Sequence, residues 1–324
     1  MIFYKKRSLG ELVSDSLNFF KEYGANFLKN YIALCGGVII LILIIVAFAA
    51  GNFVSLLLSG NSDSDMMNAL FAGNSGLFGI YGIFLLFLLF LLGCISYAMP
   101  ILYMQTASEQ QRNDFKVQEI FNVIKSKFGR IAKFLIISFL LAIPIALVLI
   151  FVFSLIVAPL GLLFSSDSGA LMVLGVVLGI IILVLFTISV SLVFTLSFNY
   201  YILNPVGFFE AIGKAFSTVF SKNFKKYILS ILLSYLLIFV LSFAFGVVLG
   251  LIIGGASLFG ISEDSYNPPV VILASVISYV ISFILQIILS NLIYINIGFI
   301  YYDSREDLHR EVFFDEIDTI GSNA

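Results

Sequence analysis

Six stretches of this 324-residue chain, at about residues 31–58, 77–104, 134–164, 170–203, 227–256 and 270–301, contain no Lys, Arg, Asp, Glu or His. Each exceeds the roughly 20 apolar residues that carry a helix across about 30 Å of hydrocarbon. Lipid offers no partner for backbone N–H and C=O groups, so runs of this kind must satisfy them internally as helices. The sequence therefore predicts an all-α integral membrane fold with six transmembrane helices, the surplus length taken up by tilt or by kinks near Pro144 and Pro159. Composition agrees: 61% of residues are hydrophobic and 11% charged, with a mean hydropathy of +1.12, against about a quarter charged in soluble domains. A soluble enzyme and a disordered chain are excluded. A net charge of -2 leaves no basic domain to hold a phosphate backbone, which excludes a nucleic-acid partner.

The basic residues orient the spans. All 17 Lys and Arg lie before span one, between spans two and three, between spans four and five, or after span six. The other three connections carry only the acids Asp63, Asp65, Asp167, Glu263 and Asp264. Under the positive-inside rule both termini are cytoplasmic. The amino terminus, with Lys5, Lys6 and Arg7, leads into an amphipathic rather than a compact apolar stretch, so no cleaved signal peptide is expected. Cys35 and Cys94 both sit in apolar runs and form neither a disulfide framework nor a spaced metal site.

The cytoplasmic segments share a pattern. Residues 9–23, 115–128 and 206–220 each read as an amphipathic helix suited to the membrane interface, with a Glu near the start: Glu11, Glu119 and Glu210. Ser8 and Glu11 have the spacing of a capping box. A basic hinge follows each helix, at residues 26–29, 130–133 and 223–226. Each even-numbered span ends in tyrosine, at Tyr103, Tyr200 and Tyr201, and Tyr301 and Tyr302, as expected of an aromatic ring at headgroup level in a chain without Trp. The unit is an interfacial helix, a span outward, a short acidic loop and a span back. It occurs as three parallel repeats, at about 8–110, 111–204 and 205–302, which together make a 1–302 membrane domain. Residues 303–324 form an acidic cytoplasmic tail, whose apolar Val312, Phe313, Phe314 and Ile317 are expected to dock it across the cytoplasmic ends of the spans.

With Leu9-Gly10-Glu11-Leu12-Val13 through Lys21, the paired spans, and the ending Ile300-Tyr301-Tyr302-Asp303-Ser304-Arg305-Glu306, nearly the whole chain resembles one bacterial family. This is the membrane domain attached to some glycerophosphodiester phosphodiesterases and also present as stand-alone multi-pass membrane proteins. The soluble phosphodiesterase barrel, with its metal-binding acids and histidines, is absent. The resemblance thus implies a bacterial inner-membrane protein and no hydrolase activity.

Intramembrane catalysis needs a Ser with a His, paired acids, or a metal-ligand set at depth. The spans hold none, so no enzyme activity and no cofactor are expected. The one histidine, His309, lies among charged tail residues and reads as solvated. Gly73-Asn74-Ser75-Gly76 lacks the nucleophile-elbow spacing and reads as a polar turn. Ion-driven carriers place a titrating charge in the membrane, and none is present. What remains is uncharged: Thr187, Ser191, Thr195 and Asn199 in span four, and Ser282, Gln286, Asn291 and Asn296 in span six. Such residues either bond helix to helix or line a polar path, if spans four and six face one cavity. Gly246 and Gly250 in span five are expected to lie against a neighbouring helix. The function expected is that of a non-catalytic membrane protein acting through membrane lipids or a partner membrane protein. The alternative is a passive or partner-energised transporter of a small neutral or lipid-like solute.

Overall fold

A computed structural model describes residues 1–58, 75–163, 169–260 and 268–306. The acidic outer-loop residues, residues 73 and 74 of the polar turn, His309 and the tail from residue 307 onward lie outside the described residues. The elements are α1 (Leu9–Glu22), α2 (Gly24–Leu58), α3 (Ser75–Gln110), α4 (Val117–Leu163), α5 (Gly169–Leu203), α6 (Phe208–Val219), α7 (Phe224–Gly260) and α8 (Pro268–Ser304). Among the described residues there is no strand. α2, α3, α4, α5, α7 and α8 are each long and apolar enough to cross a membrane, and the chain is a multi-pass helical membrane protein.

Local chemistry sets the element ends. The Ser8 hydroxyl accepts the Glu11 N–H at 3.3 Å while Glu11 Oε2 accepts the Ser8 N–H at 2.7 Å, so the capping box forms. α1 buries Leu12, Ser16 and Phe19, positions separated by four and three residues that share one helical face. α3 stops where Gln111 takes a φ of 47°, a left-handed cap that returns its N–H to the Ala107 carbonyl. α5 ends before Pro205, which has no N–H to continue the ladder. α6 buries Phe208, Ala211, Ala215, Thr218 and Val219, mostly against α5.

The middle amphipathic segment behaves differently from the other two. Residues 117–163 form one uninterrupted helix of 47 residues, about 70 Å long, far more than the hydrocarbon thickness. Its first turns bury Ile120 and Ile124. No turn intervenes at the hinge, from which Lys127 and Arg130 reach sideways to α5. By contrast the chain turns at Tyr23 after α1 and at residues 220–223 after α6.

The core occupies one end of the bundle. Buried positions of the six spanning helices run over residues 27–42 of α2, 88–107 of α3, 120–134 of α4, 188–202 of α5, 227–238 of α7 and 291–304 of α8; outside these windows only Gly24 and Gly179 are buried among the described residues of those helices. That end carries the basic segments, α1 and α6. Outward from it the helices present apolar side chains such as Phe139, Phe243 and Leu251, the surface a membrane-spanning helix shows to lipid.

Three expectations need correction. The tyrosines that end α3, α5 and α8 do not face outward: Tyr103, Tyr200, Tyr201, Tyr301 and Tyr302 are all buried. The hydroxyls of Tyr103, Tyr200 and Tyr301 find partners inside the bundle, as buried phenols require. Gly246 and Gly250 face open space, with nothing within 4 Å of an added Cβ. The close approach falls instead at Gly298 of α8, where a Cβ would lie 2.5 Å from Met104 Sδ. Finally, α8 runs through Asp303 to Ser304, so that Asp303, grouped on charge with the tail, belongs to the packed end of the bundle.

Candidate functional site

The most densely bonded polar group in the described structure surrounds Asp303, which is fully buried. Its Oδ1 accepts the backbone N–H of Arg7 at 2.6 Å; its Oδ2 accepts Lys226 Nζ at 2.6 Å and the Tyr227 hydroxyl at 2.8 Å. Lys226 also donates to the Arg7 carbonyl at 3.0 Å. Residues 1–7, the start of α7 and the end of α8 thereby meet on one carboxylate.

Arg7 is buried as well. Its Nε donates to Asp15 Oδ2 at 2.9 Å, Nη1 to the Phe3 and Lys5 carbonyls, and Nη2 to the Ile2 carbonyl. The guanidinium lies 4.6 Å from the Phe299 ring centre, a favourable cation–π placement. Burial lowers its pKa from the ordinary value, and the hydrogen bond and charge of Asp15 act against that shift. Lys5 joins Asp15 at 3.0 Å and Glu11 at 3.4 Å. Arg7 with Asp15, and Lys226 with Asp303, are paired charges, which is what allows Arg7 and Asp303 to be buried at all, while Lys5 and Glu11 at the edge stay partly exposed.

Similar ties occur at the other two hinges. Asn26 Oδ1 accepts the Tyr103 hydroxyl at 2.9 Å and the Phe115 N–H at 3.2 Å, while its Nδ2 donates to the Phe115 carbonyl at 3.0 Å. Arg130 donates to the carbonyls of Tyr201, Asn204 and Val206 and lies over the Tyr201 ring; Lys127 donates to the Ile202 carbonyl. The last carbonyls of a helix have no intrahelical donor and carry partial negative charge, so these two cations cap α5. Each hinge thus binds near the end of the even-numbered span that follows: Asn26 to Tyr103 on α3, Arg130 to α5, and Lys226 to Asp303 on α8. Deeper in the bundle Tyr31 donates to Ser96 at 2.9 Å and Ser230 to Asn296 at 2.9 Å.

No family model, curated protein or solved structure matches this chain. The chemistry is therefore read from the residues themselves.

The eight uncharged candidates fall into separate places. Thr187 and Ser191 line a groove of about 630 Å³ between α5 and α7, with Leu183, Leu232, Tyr235 and Phe239 among its other walls. The Thr187 hydroxyl is turned back to the Leu183 carbonyl. Thr195 accepts the Tyr97 hydroxyl at 2.9 Å, and the Tyr97 ring stands between Phe198 of α5 and Tyr294 of α8. Asn199 is buried, and its Nδ2 has no partner among the described residues. Ser282 and Gln286 are exposed, Gln286 accepting Ser242 of α7 at 3.4 Å. Asn291 donates to the Ile287 and Ile288 carbonyls. Asn296 accepts from Ser230 and donates to the Leu12 carbonyl at 3.4 Å. Thr187, Ser191 and Thr195 thus face α7 or α3, Gln286 and Asn296 bond to α7, and the Tyr97 ring packs against both Phe198 of α5 and Tyr294 of α8.

Sequence reasoning did not single out Arg7, Asn26, Arg130 or Asp303 as bonded core groups. The available signal was position: Asn26, Arg130 and Asp303 stand at or beside a span boundary, where a polar side chain can reach helix-end groups, whereas Arg7 precedes α1 and carries no such signal. Among the described residues no cluster of His, Cys, Asp and Glu has the makings of a metal site.

Proposed function

We propose that this is a non-catalytic multi-pass protein of the bacterial inner membrane that acts through lipid or partner-protein contacts, with both termini in the cytoplasm. The observation that carries this reading is how the polar groups near and within the spans are used. Asp303, Arg7, Lys226, Asn26, Arg130, Thr195 and Asn296 all hold one helix or segment to another. A locked layer of this kind stiffens the end of the bundle that the basic residues assign to the cytoplasm. Around it, aromatic side chains of the short helices and the start of α4 stay outward: Phe121, Phe209, Phe216 and Phe220 are exposed. Phenylalanines interleaved with Lys and Arg suit the boundary between headgroups and acyl chains. Membership of the membrane-domain family found beside glycerophosphodiester phosphodiesterases belongs to the same proposal, supported by the residues around Glu11 and Asp303.

One observation favours the transporter reading: the groove between α5 and α7 presents Thr187 and Ser191. Osmotic swelling of proteoliposomes separates the two. The protein should not accelerate swelling in gradients of glycerol or small sugars beyond that of empty liposomes. Saturable acceleration, lost in Thr187→Val with Ser191→Ala, would overturn the proposal in favour of transport.

A further inference from the structure

A second groove, of about 540 Å³, lies between α4 and α5 and is bounded by α6. Pro144, Ile145 and Val148 of α4 face Phe186, Val190, Val193 and Phe194 of α5 across it, with Phe216 and Phe220 of α6 along its edge. Ser189 is the one hydroxyl in the lining, and it is spent on the Leu185 carbonyl at 2.8 Å. A polar solute would find no hydrogen bond here, whereas an alkyl chain loses nothing by entering. The rings of Phe216 and Phe220, 4.5 Å apart, form an apolar wall that remains about half exposed, with the Phe224 ring stacked on Phe220.

The charge on this side indicates what the chain is attached to. On α4, Lys133 stands roughly three turns, or ~16 Å, before Pro144 and on the same helical face; that is about the depth of one leaflet of a 30 Å core. Lys133 is exposed, whereas Arg130 is committed to the end of α5 and Lys214 pairs with Glu210. We propose that this groove binds one acyl chain of an anionic phospholipid of the cytoplasmic leaflet, with Lys133 at its headgroup. The assignment rests on the membrane reading above and deepens it, since it names one lipid site rather than a general lipid surface.

The absence of Trp from the chain makes single-Trp reporters clean. Phe194→Trp places one in the groove, Phe186→Trp a second, and Phe139→Trp serves as a reference at a 71% exposed position of α4. Each is reconstituted with brominated-chain phosphatidylglycerol diluted into unlabelled phosphatidylcholine. Half-maximal quenching of the groove reporters should need a brominated fraction about fivefold lower than the reference, the factor corresponding to ~1 kcal/mol per basic residue at an anionic surface. Lys133→Gln should remove that preference and Lys133→Arg retain it. Equal quenching curves at the groove and reference positions would overturn the site, leaving only general lipid contact. So would equal quenching of Phe194→Trp by brominated phosphatidylcholine, or quenching at the reference without any in the groove. Absence of quenching at all three positions would instead refute the membrane seating on which both proposals depend.

Discussion

Replacing Asp303 with Ala tests how far the packed end depends on one carboxylate. The substitution leaves three donors without their acceptor: the Arg7 N–H, the Tyr227 hydroxyl and Lys226 Nζ, whose side chain is only 16% exposed. Breaking a buried ion pair by removing one partner costs about 3–5 kcal/mol, because the remaining charge stays desolvated. Asp303→Ala should therefore lower stability by ~4 kcal/mol, roughly a thousandfold in the folded-to-unfolded ratio. Asp303→Asn keeps one acceptor for the Arg7 N–H but turns an amide toward Lys226 and Tyr227, and should cost about half as much. Adding Lys226→Met to Asp303→Ala should recover part of the loss, since the stranded charge is gone. The assay is SDS titration of the protein in detergent micelles, followed by helical circular dichroism. If both Asp303 single variants fall within about 0.5 kcal/mol of the parent, the range of exposed substitutions, the Asp303 carboxylate does not stabilise the packed end.

The capping box makes a pH prediction. Hydrogen bonds from the Ser8 backbone and hydroxyl, together with Lys5, hold Glu11 at about 2, below its ordinary 4.5. The stabilisation is thus complete above pH 4.5 and is lost as pH falls from there through about 2; a side-chain NMR titration with its midpoint near 4.5 would show that the box does not persist. Gly298→Ala should destabilise by about 1 kcal/mol, the low end of overpacking, because the new Cβ meets the buried Met104 thioether. Gly250→Ala, with open space around it, should be neutral or stabilising by up to about 1 kcal/mol through helix propensity; the same sign in both, measured by SDS titration, would contradict the placement of the close contact. Tyr97→Phe and Thr195→Val each remove the bond between α3 and α5 and should each cost about 0.6 kcal/mol, a typical interhelical value in membrane proteins, with no further loss in the double variant. A fully additive double variant would show that the two hydroxyls do not interact.

The six spans were legible because charge-free length is a one-dimensional property: it needs no knowledge of neighbours. α1 was legible too, since Ser8 and Glu11 lie within one turn and their pairing is local. Partner choice was not. A four-residue spacing places Gly246 and Gly250 on one face of α7 but does not say whether that face meets protein or lipid, and the structure turns it outward. The tyrosines at the span ends carry both an apolar ring and a hydroxyl, which suits a headgroup boundary and a hydrogen-bonded core equally. Tertiary contact decides between them, through Asn26 for Tyr103 and through Thr218 and Ser304 for Tyr200. Asp303 was assigned to the tail because the sequence turns acidic there. Its partners Arg7 and Lys226 are distant in the chain, and no local pattern announces them. Of the eight uncharged candidates, Thr195, Gln286 and Asn296 proved to be bonded across helices, a role their residue type allows but cannot specify.

The proposed function requires the packed end of the bundle to be a closed, polar-bonded core with no aqueous path through it, and two native thiols report on this directly. Cys35 and Cys94 are both buried within spans. In membrane vesicles of each orientation, a charged, membrane-impermeant thiosulfonate should leave both thiols unmodified. The exposed control Ser126→Cys should react completely in inside-out vesicles and not in right-side-out ones. Modification of Cys35 or Cys94 from either side, at a rate comparable to that control, would reveal water inside the bundle and contradict the account.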